Sequence, residues 1–255
     1  MSRNTRINQT MSPLPLHGKS ALVTGGARRI GREIALALAK AGADVAITYR
    51  KSSTEAARTV EELIAAAVQA AAFECDVRSE SSVKAALHAV VERFGRLDIL
   101  VNNAAVFESA SLASLTLEQW DAVFETNTRG PFLVAREAVP HLRTVHGRII
   151  NIGSLGGLHA WASHGHYCAS KAAVHMLTQV MAKAFAPEIY VNCVAPGRID
   201  MDEESSESAR RLADKTPMKR NGSADDVAQA VLFFATGPGF VTGQILAVDG
   251  GLGLA

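Results

Sequence analysis

Tyr167-Cys168-Ala169-Ser170-Lys171 places a phenol and an ammonium four residues apart. If that run opens a helix, positions four apart share a face and the two side chains meet. A free tyrosine, with a pKa near 10, carries protons poorly at neutral pH. A neighbouring ammonium favours phenolate, so Lys171 is expected to lower the Tyr167 pKa and make the phenol a usable general acid or base. Taken alone, such a pair belongs more often to a solvated surface. Ser154 changes that reading: it follows the β-branched run Arg148–Ile152 and precedes Tyr167 by thirteen residues. It is therefore expected at the carboxyl edge of a sheet, where open α/β folds bind ligands and where its hydroxyl can meet a carbonyl.

A second cluster stands near the start of the chain. Ala21-Leu22-Val23 reads as a short buried strand and Ile30 to Ala41 as a helix, with Thr24-Gly25-Gly26-Ala27-Arg28-Arg29-Ile30-Gly31 between them. Glycines in that position let the backbone approach a pyrophosphate whose charge rests at the helix N-terminus. A site for NAD wants a carboxylate about 20 residues further on to hold the ribose hydroxyls. The corresponding segment is Tyr49-Arg50-Lys51-Ser52, with no acid, and Asp44 lies at the other end of its strand. Arg28, Arg29, Arg50 and Lys51 suit a 2′-phosphate, so the expected cofactor is NADP(H). An oxidised nicotinamide beside Tyr167 would also favour the phenolate.

Elements of matching period must carry these residues. Strands are expected at Asp44–Tyr49, Ala71–Cys75, Ile99–Asn102, Arg148–Ile152, Tyr190–Val194 and Ile245–Val248. Helical patterns cover about Ser53–Ala70, Ser81–Phe94, Leu117–Ala138 and Tyr167–Ala186. Strands alternating with helices give βαβ units, hence an α/β fold: one doubly wound Rossmann domain over 18–255, its parallel sheet covered by helices on both faces. Residues 1–17 show neither period nor the apolar core of a secretory signal, and are expected to form a disordered extension. With 48% hydrophobic residues, 20% charged and a formal charge of +1, the chain builds a core and is no general nucleic-acid binder. No apolar run reaches the roughly 20 residues of a membrane helix. Cys75, Cys168 and Cys193 have no paired spacing, which points to a reducing, cytoplasmic setting rather than a disulfide scaffold.

Taken together, these motifs resemble the short-chain dehydrogenase/reductase family over essentially all of 18–255. They are the glycine turn, Asn102-Asn103-Ala104-Ala105, Asn127, Ser154, Tyr167-x-x-x-Lys171 and Asn192-x-x-x-Pro196-Gly197. The resemblance implies that Tyr167 donates the proton in a reduction, Ser154 orients the carbonyl and Lys171 holds the nicotinamide ribose. It implies further that Asn127 supports a water relay, Asp76 and Val77 approach the adenine, and Ile199 meets the carboxamide. Gly25, Ile30, Gly31, Asn103, Ala104, Pro196 and Gly197 complete the expected cofactor contacts. The family also implies a homotetramer acting on a small molecule.

Arg29 and Ala105 stand where the family carries glycines, and Met201 where many members place a threonine. The Arg29 turn, Tyr49–Ser52, Leu158-His159-Ala160-Trp161 and Pro217–Gly222 resemble the pteridine-reductase branch, whose best-known members carry an aspartate at the place of Ser154. A pterin imine is thus one expected substrate, with a 3-oxoacyl thioester or small ketone as the alternative. A catalytically silent NADP(H) sensor is the alternative of another class. His164, His166 and Cys168 have an alternating spacing but lead into a helix without a second ligand cluster, so no metal is expected. Trp161 is a pocket wall or an ordinary packing residue. The stretch 200–215 is read as a helical lid over the substrate.

Overall fold

The computed structural model describes residues 14–200 and 207–254. Seven strands form one parallel sheet: β1 Ser20–Val23, β2 Asp44–Tyr49, β3 Ala70–Glu74, β4 Ile99–Asn102, β5 Arg148–Ile152, β6 Tyr190–Pro196 and β7 Ile245–Val248. Their order is β3-β2-β1-β4-β5-β6-β7. Alternate strand residues enter different cores. Ala21 and Val23 join one apolar cluster with Val45, Ile47 and Val101, whereas Leu22 and Ala46 join the other with Leu100 and Ile149. This is the period of two expected of strands covered on both faces.

The first cluster is closed by α1 (Arg29–Lys40), α2 (Ser53–Ala65) and α8 (Ala224–Thr236). The second is closed by α3 (Glu80–Phe94), α5 (Gly130–Arg143) and α6 (Gly165–Phe185). Between β1 and β4 the chain order reverses, which opens a crevice at their carboxyl ends. Ser20 pairs with Asp44, and Ala21 with both Val45 and Ile99, so the loops after β1, β2 and β4 end at neighbouring levels.

Three expectations change. The helical pattern from Leu117 divides into α4 (Leu117–Phe124) and α5, with a π-helical turn at Glu125–Arg129. Helix α2 stops at Ala65, because β3 already begins at Ala70. Disorder through residue 17 does not hold: Leu16 is wholly buried and its N–H donates to the Ala41 carbonyl at 2.9 Å. Leu16 joins the first apolar cluster, and burying an isolated leucine outweighs fraying at that point. Residues 1–13 lie outside the described residues. Helices α7 (Glu207–Lys215) and α8 complete the fold. The Ser223 hydroxyl and Asp226 cap α8 reciprocally at its start.

Candidate active site

A cleft of roughly 1060 Å³ runs along the carboxyl ends of the strands. Its nucleotide end is the glycine turn. Gly25 has φ +64°, the left-handed region, and a Cβ on Gly31 would come within 2.5 Å of Asn103 Nδ2. The turn is tied to the loop after β4, where the Thr24 hydroxyl accepts the N–H groups of Asn103 (2.9 Å) and Ala104 (3.1 Å). In return the Asn103 amide donates to the Thr24 and Gly25 carbonyls. Arg29 adopts φ +54° at the place of the family's glycine, a strained conformation for a side chain-bearing residue.

Arg28, Arg29, Arg50 and Lys51 line this end with Tyr49 and Ser52, and no carboxylate stands among them. Asp76 follows, held by Arg78 through bonds at 2.9 and 2.6 Å. That guanidinium keeps the Asp76 carboxyl well below its usual range, at about 2. A narrow glycine cradle beside four cations fits a dinucleotide with a 2′-phosphate.

Helix α6 and the end of β5 form the centre. Ser154 is 4% exposed, and its oxygen accepts the Gly156 N–H at 3.0 Å. Its hydroxyl proton can therefore serve another acceptor. The Ser154 N–H points at His175 Nε2, 3.4 Å away, one turn along α6 from Lys171. Burial first, then Lys171, pushes the His175 imidazole down to about 4, so the ring is neutral and its Nε2 can accept. Lys171 Nζ donates to the Ile152 carbonyl at 2.8 Å. Its ammonium is pushed down to about 8 by burial.

The expected lowering of the Tyr167 pKa by Lys171 is not found. Burial raises the Tyr167 pKa, and a hydrogen bond from Ser154 opposes that rise. The reason is placement: Lys171 Nζ is 5.8 Å from the phenol ring centroid and engaged with Ile152. Without ligand, Tyr167 is thus a protonated acid at neutral pH, the form needed to donate to a carbonyl oxygen.

Asn127 sits behind the cleft, within the π-helical turn. Its Oδ1 accepts the Val106 N–H at 2.8 Å, and its Nδ2 donates to the Val106 carbonyl (3.0 Å) and the Ser170 hydroxyl (3.1 Å). The side chain clamps the segment after Asn103. The other candidates share the cleft: Gly25, Ile30, Gly31, Val77, Asn103, Ala104, Pro196, Gly197 and Ile199 around the nucleotide path, and Ser154, Trp161, Tyr167 and Lys171 at the far end.

Trp161 walls the cleft, its ring parallel to that of Tyr167. His164 has both ring nitrogens engaged by Ser109 and Ser163, and no group of three or more ligand-type side chains that could hold a metal occurs among the described residues. Of the expected lid, α7 is helical and its Leu212 lines the cleft, whereas Met201 and the rest of 201–206 lie outside the described residues. No helix among the described residues is long and apolar enough to cross a membrane.

The family described as enoyl-(acyl carrier protein) reductase matches residues 25–253. A curated relative, the short chain dehydrogenase mdpC of Emericella nidulans, is 38% identical over 95% of this chain and 98% of its own length. This chain is a short-chain dehydrogenase/reductase. The 3-oxoacyl-[acyl-carrier-protein] reductase FabG of Staphylococcus aureus strain Mu50 is 40% identical over 92% of this short-chain reductase and 98% of its own length. Among solved structures, a short chain dehydrogenase from Burkholderia cenocepacia J2315 in complex with NADP superposes with a TM-score of 0.88 at 40% identity. It covers 93% of this chain and 99% of that one.

Sequence reading of this oxidoreductase overlooked Arg78, His175 and Phe107. Arg78 follows Asp76 by two residues, a local pairing visible in the sequence. Position 175 is one turn past Lys171, on the side that faces Ser154. Phe107 is separated from α6 by more than fifty residues and carries no local signal.

Proposed function

We propose that this protein is an NADPH-dependent reductase of a ketone carbonyl, with a 3-oxoacyl thioester or a small ketone as substrate. One observation carries the reading: Ser154 and a protonated Tyr167 converge in a cleft whose other end presents four cations, with its carboxylate Asp76 neutralised by Arg78. When bound, NADPH supplies the hydride. Ser154 donates a hydrogen bond to the carbonyl oxygen and holds it beside the phenol. Tyr167 gives its proton to that oxygen as the carbon gains the hydride, so C=O becomes CH–OH and the coenzyme is oxidised. Lys171 holds the nicotinamide ribose, and the hydrogen bond from Ser154 favours the phenolate left behind. Arg28, Arg29, Arg50 and Lys51 hold the 2′-phosphate.

The 3-oxoacyl reductases among the relatives favour a ketone over a pterin imine, in keeping with serine at position 154. We further infer a homotetramer, supported by apolar side chains left exposed on α5 and α6 (Phe132, Met176, Val180) and near α8 and β7 (Phe233, Leu246). The test follows NADPH absorbance with acetoacetyl thioesters, small ketones and an oxidised pterin. A ketone or thioester is expected to be turned over, and Tyr167→Phe to lower kcat by at least about 100-fold with NADPH affinity retained. Undiminished turnover in that variant removes Tyr167 as the acid, and turnover of the pterin alone returns the substrate to the imine class.

A further inference from the structure

The substrate end of the cleft is walled by rings. Phe107, 61% exposed, lies face to face on His164, with centroids 4.6 Å apart and planes at 17°. It also meets Tyr167 edge-on at 4.8 Å. Trp161 lies parallel to Tyr167, with centroids 6.4 Å apart and planes at 11°, and edge-on to His164 at 5.9 Å. All four line the cleft that holds Ser154.

These rings are fixed in place. His164 Nε2 meets the Ser109 hydroxyl at 2.7 Å and its Nδ1 meets Ser163 at 2.9 Å. The Ala110 N–H donates to the Ser163 carbonyl at 2.9 Å, so the segment carrying Phe107 is tied to the segment carrying Trp161. The wall is also uncharged, because burial and His166 hold the His164 pKa below its ordinary value. Nearby, Arg198 is paired with Asp200 at 3.5 Å.

Phe107 stands outside the core and leaves most of its surface open to the cleft and solvent. A flat π-ligand gains twice there: apolar area leaves water, and ring quadrupoles find offset or edge-on partners. A saturated chain gains the first term alone.

We propose that this wall selects a neutral ketone whose carbonyl is attached to or fused with an aromatic ring, the ring packing against Trp161 and Phe107 while Ser154 and Tyr167 hold the oxygen. The inference rests on the ketone-reductase reading and narrows its substrate class. The probes are 2-tetralone and 2-decalone, which share a fused bicyclic skeleton and differ in one aromatic ring, with acetoacetyl-CoA as a thioester reference.

Expected is a kcat/KM for 2-tetralone about fivefold to tenfold above that for 2-decalone, the span one aromatic pair supplies. Trp161→Leu and Phe107→Leu should each cut that ratio at least about threefold. NADPH binding reports that each variant is folded, and the exposed Phe107 site decides the matter if Trp161→Leu does not fold. A wild-type ratio near one, or a ratio unmoved in the folded variants, overturns the aromatic wall. Reduction of acetoacetyl-CoA with neither bicyclic ketone turned over overturns it too, while leaving the ketone-reductase reading in place. No turnover of any of the three overturns both.

Discussion

Lys171 is buried against β5, where its ammonium donates to the Ile152 carbonyl. Desolvation opposes its charge, and the folded group gives up its proton at about 8 rather than 10.5. Between those two values the unfolded chain binds more protons than the folded one, so stability rises with pH across that window and is lowest below 8. The site thus holds a cation where water would hold it more cheaply, and the function assigned to Lys171 explains why. Lys171→Met keeps the length of the side chain and removes the buried charge. Thermal unfolding at pH 7 is expected to show a Tm raised by a few degrees, at about 2–4 °C per kcal/mol for a chain of this size. The rise in stability from pH 8 to 10 should flatten, and turnover should fall by at least about 100-fold. A lower Tm would mean that the bond to Ile152 outweighs the desolvation.

The π-helical turn at Glu125–Arg129 shows how an element can be built around one side chain. An uninterrupted helix from Leu117 to Arg143 would rotate Asn127 relative to Val106, whereas the wider turn lets its amide take both the N–H and the carbonyl of that residue. Such bulges concentrate at functional sites. Asn127→Ala leaves two part-buried backbone groups of Val106 without their side-chain partner and frees the segment leading to Phe107. Steady-state kinetics are expected to show a kcat/KM for ketone lowered by about tenfold or more, since misplacement near 1 Å can cost 100-fold. NADPH affinity should stay within about threefold, because Asn103 and Thr24 bind the glycine turn independently. Equal kcat/KM in variant and wild type would make the clamp dispensable.

The sequence showed the helix around Asn127 but not its bulge, because the apolar period runs on through Thr126 and Leu133. The strands were legible because runs such as Ile99–Asn102 are apolar and short, and the cleft because its motifs end those runs. Helix α8 went unread although Ser223 and Asp226 form a local capping signal. The direction of the Tyr167 shift was not legible at all: it depends on burial and on where Lys171 points, and both are tertiary facts.

At the scale of the whole molecule, α6 has two apolar surfaces. One packs Val174 and Met181 inward, and the other leaves Met176 and Val180 more than half exposed. These two are four residues apart and share a face. Phe132 adds to an exposed apolar surface on α5, partly covered by the Arg136 guanidinium at 5.3 Å. In a symmetric assembly the same patch meets itself, so one substitution is felt from both sides of the contact. Val180→Glu would bring two carboxylates together in an interface emptied of water, a far larger effect than on a solvated helix. The expected result by sedimentation is a wild-type tetramer and a Val180→Glu species of half that mass or less. Val180 faces away from Ser154 and the sheet, so the folded variant should still bind NADPH. A Val180→Glu tetramer of unchanged mass would exclude this face from the contact, and a monomeric wild type would exclude the assembly itself. If the contact does form, the helix that carries Tyr167 and Lys171 is held between the sheet and a second copy of itself, and the aromatic wall at its N-terminal end is braced with it.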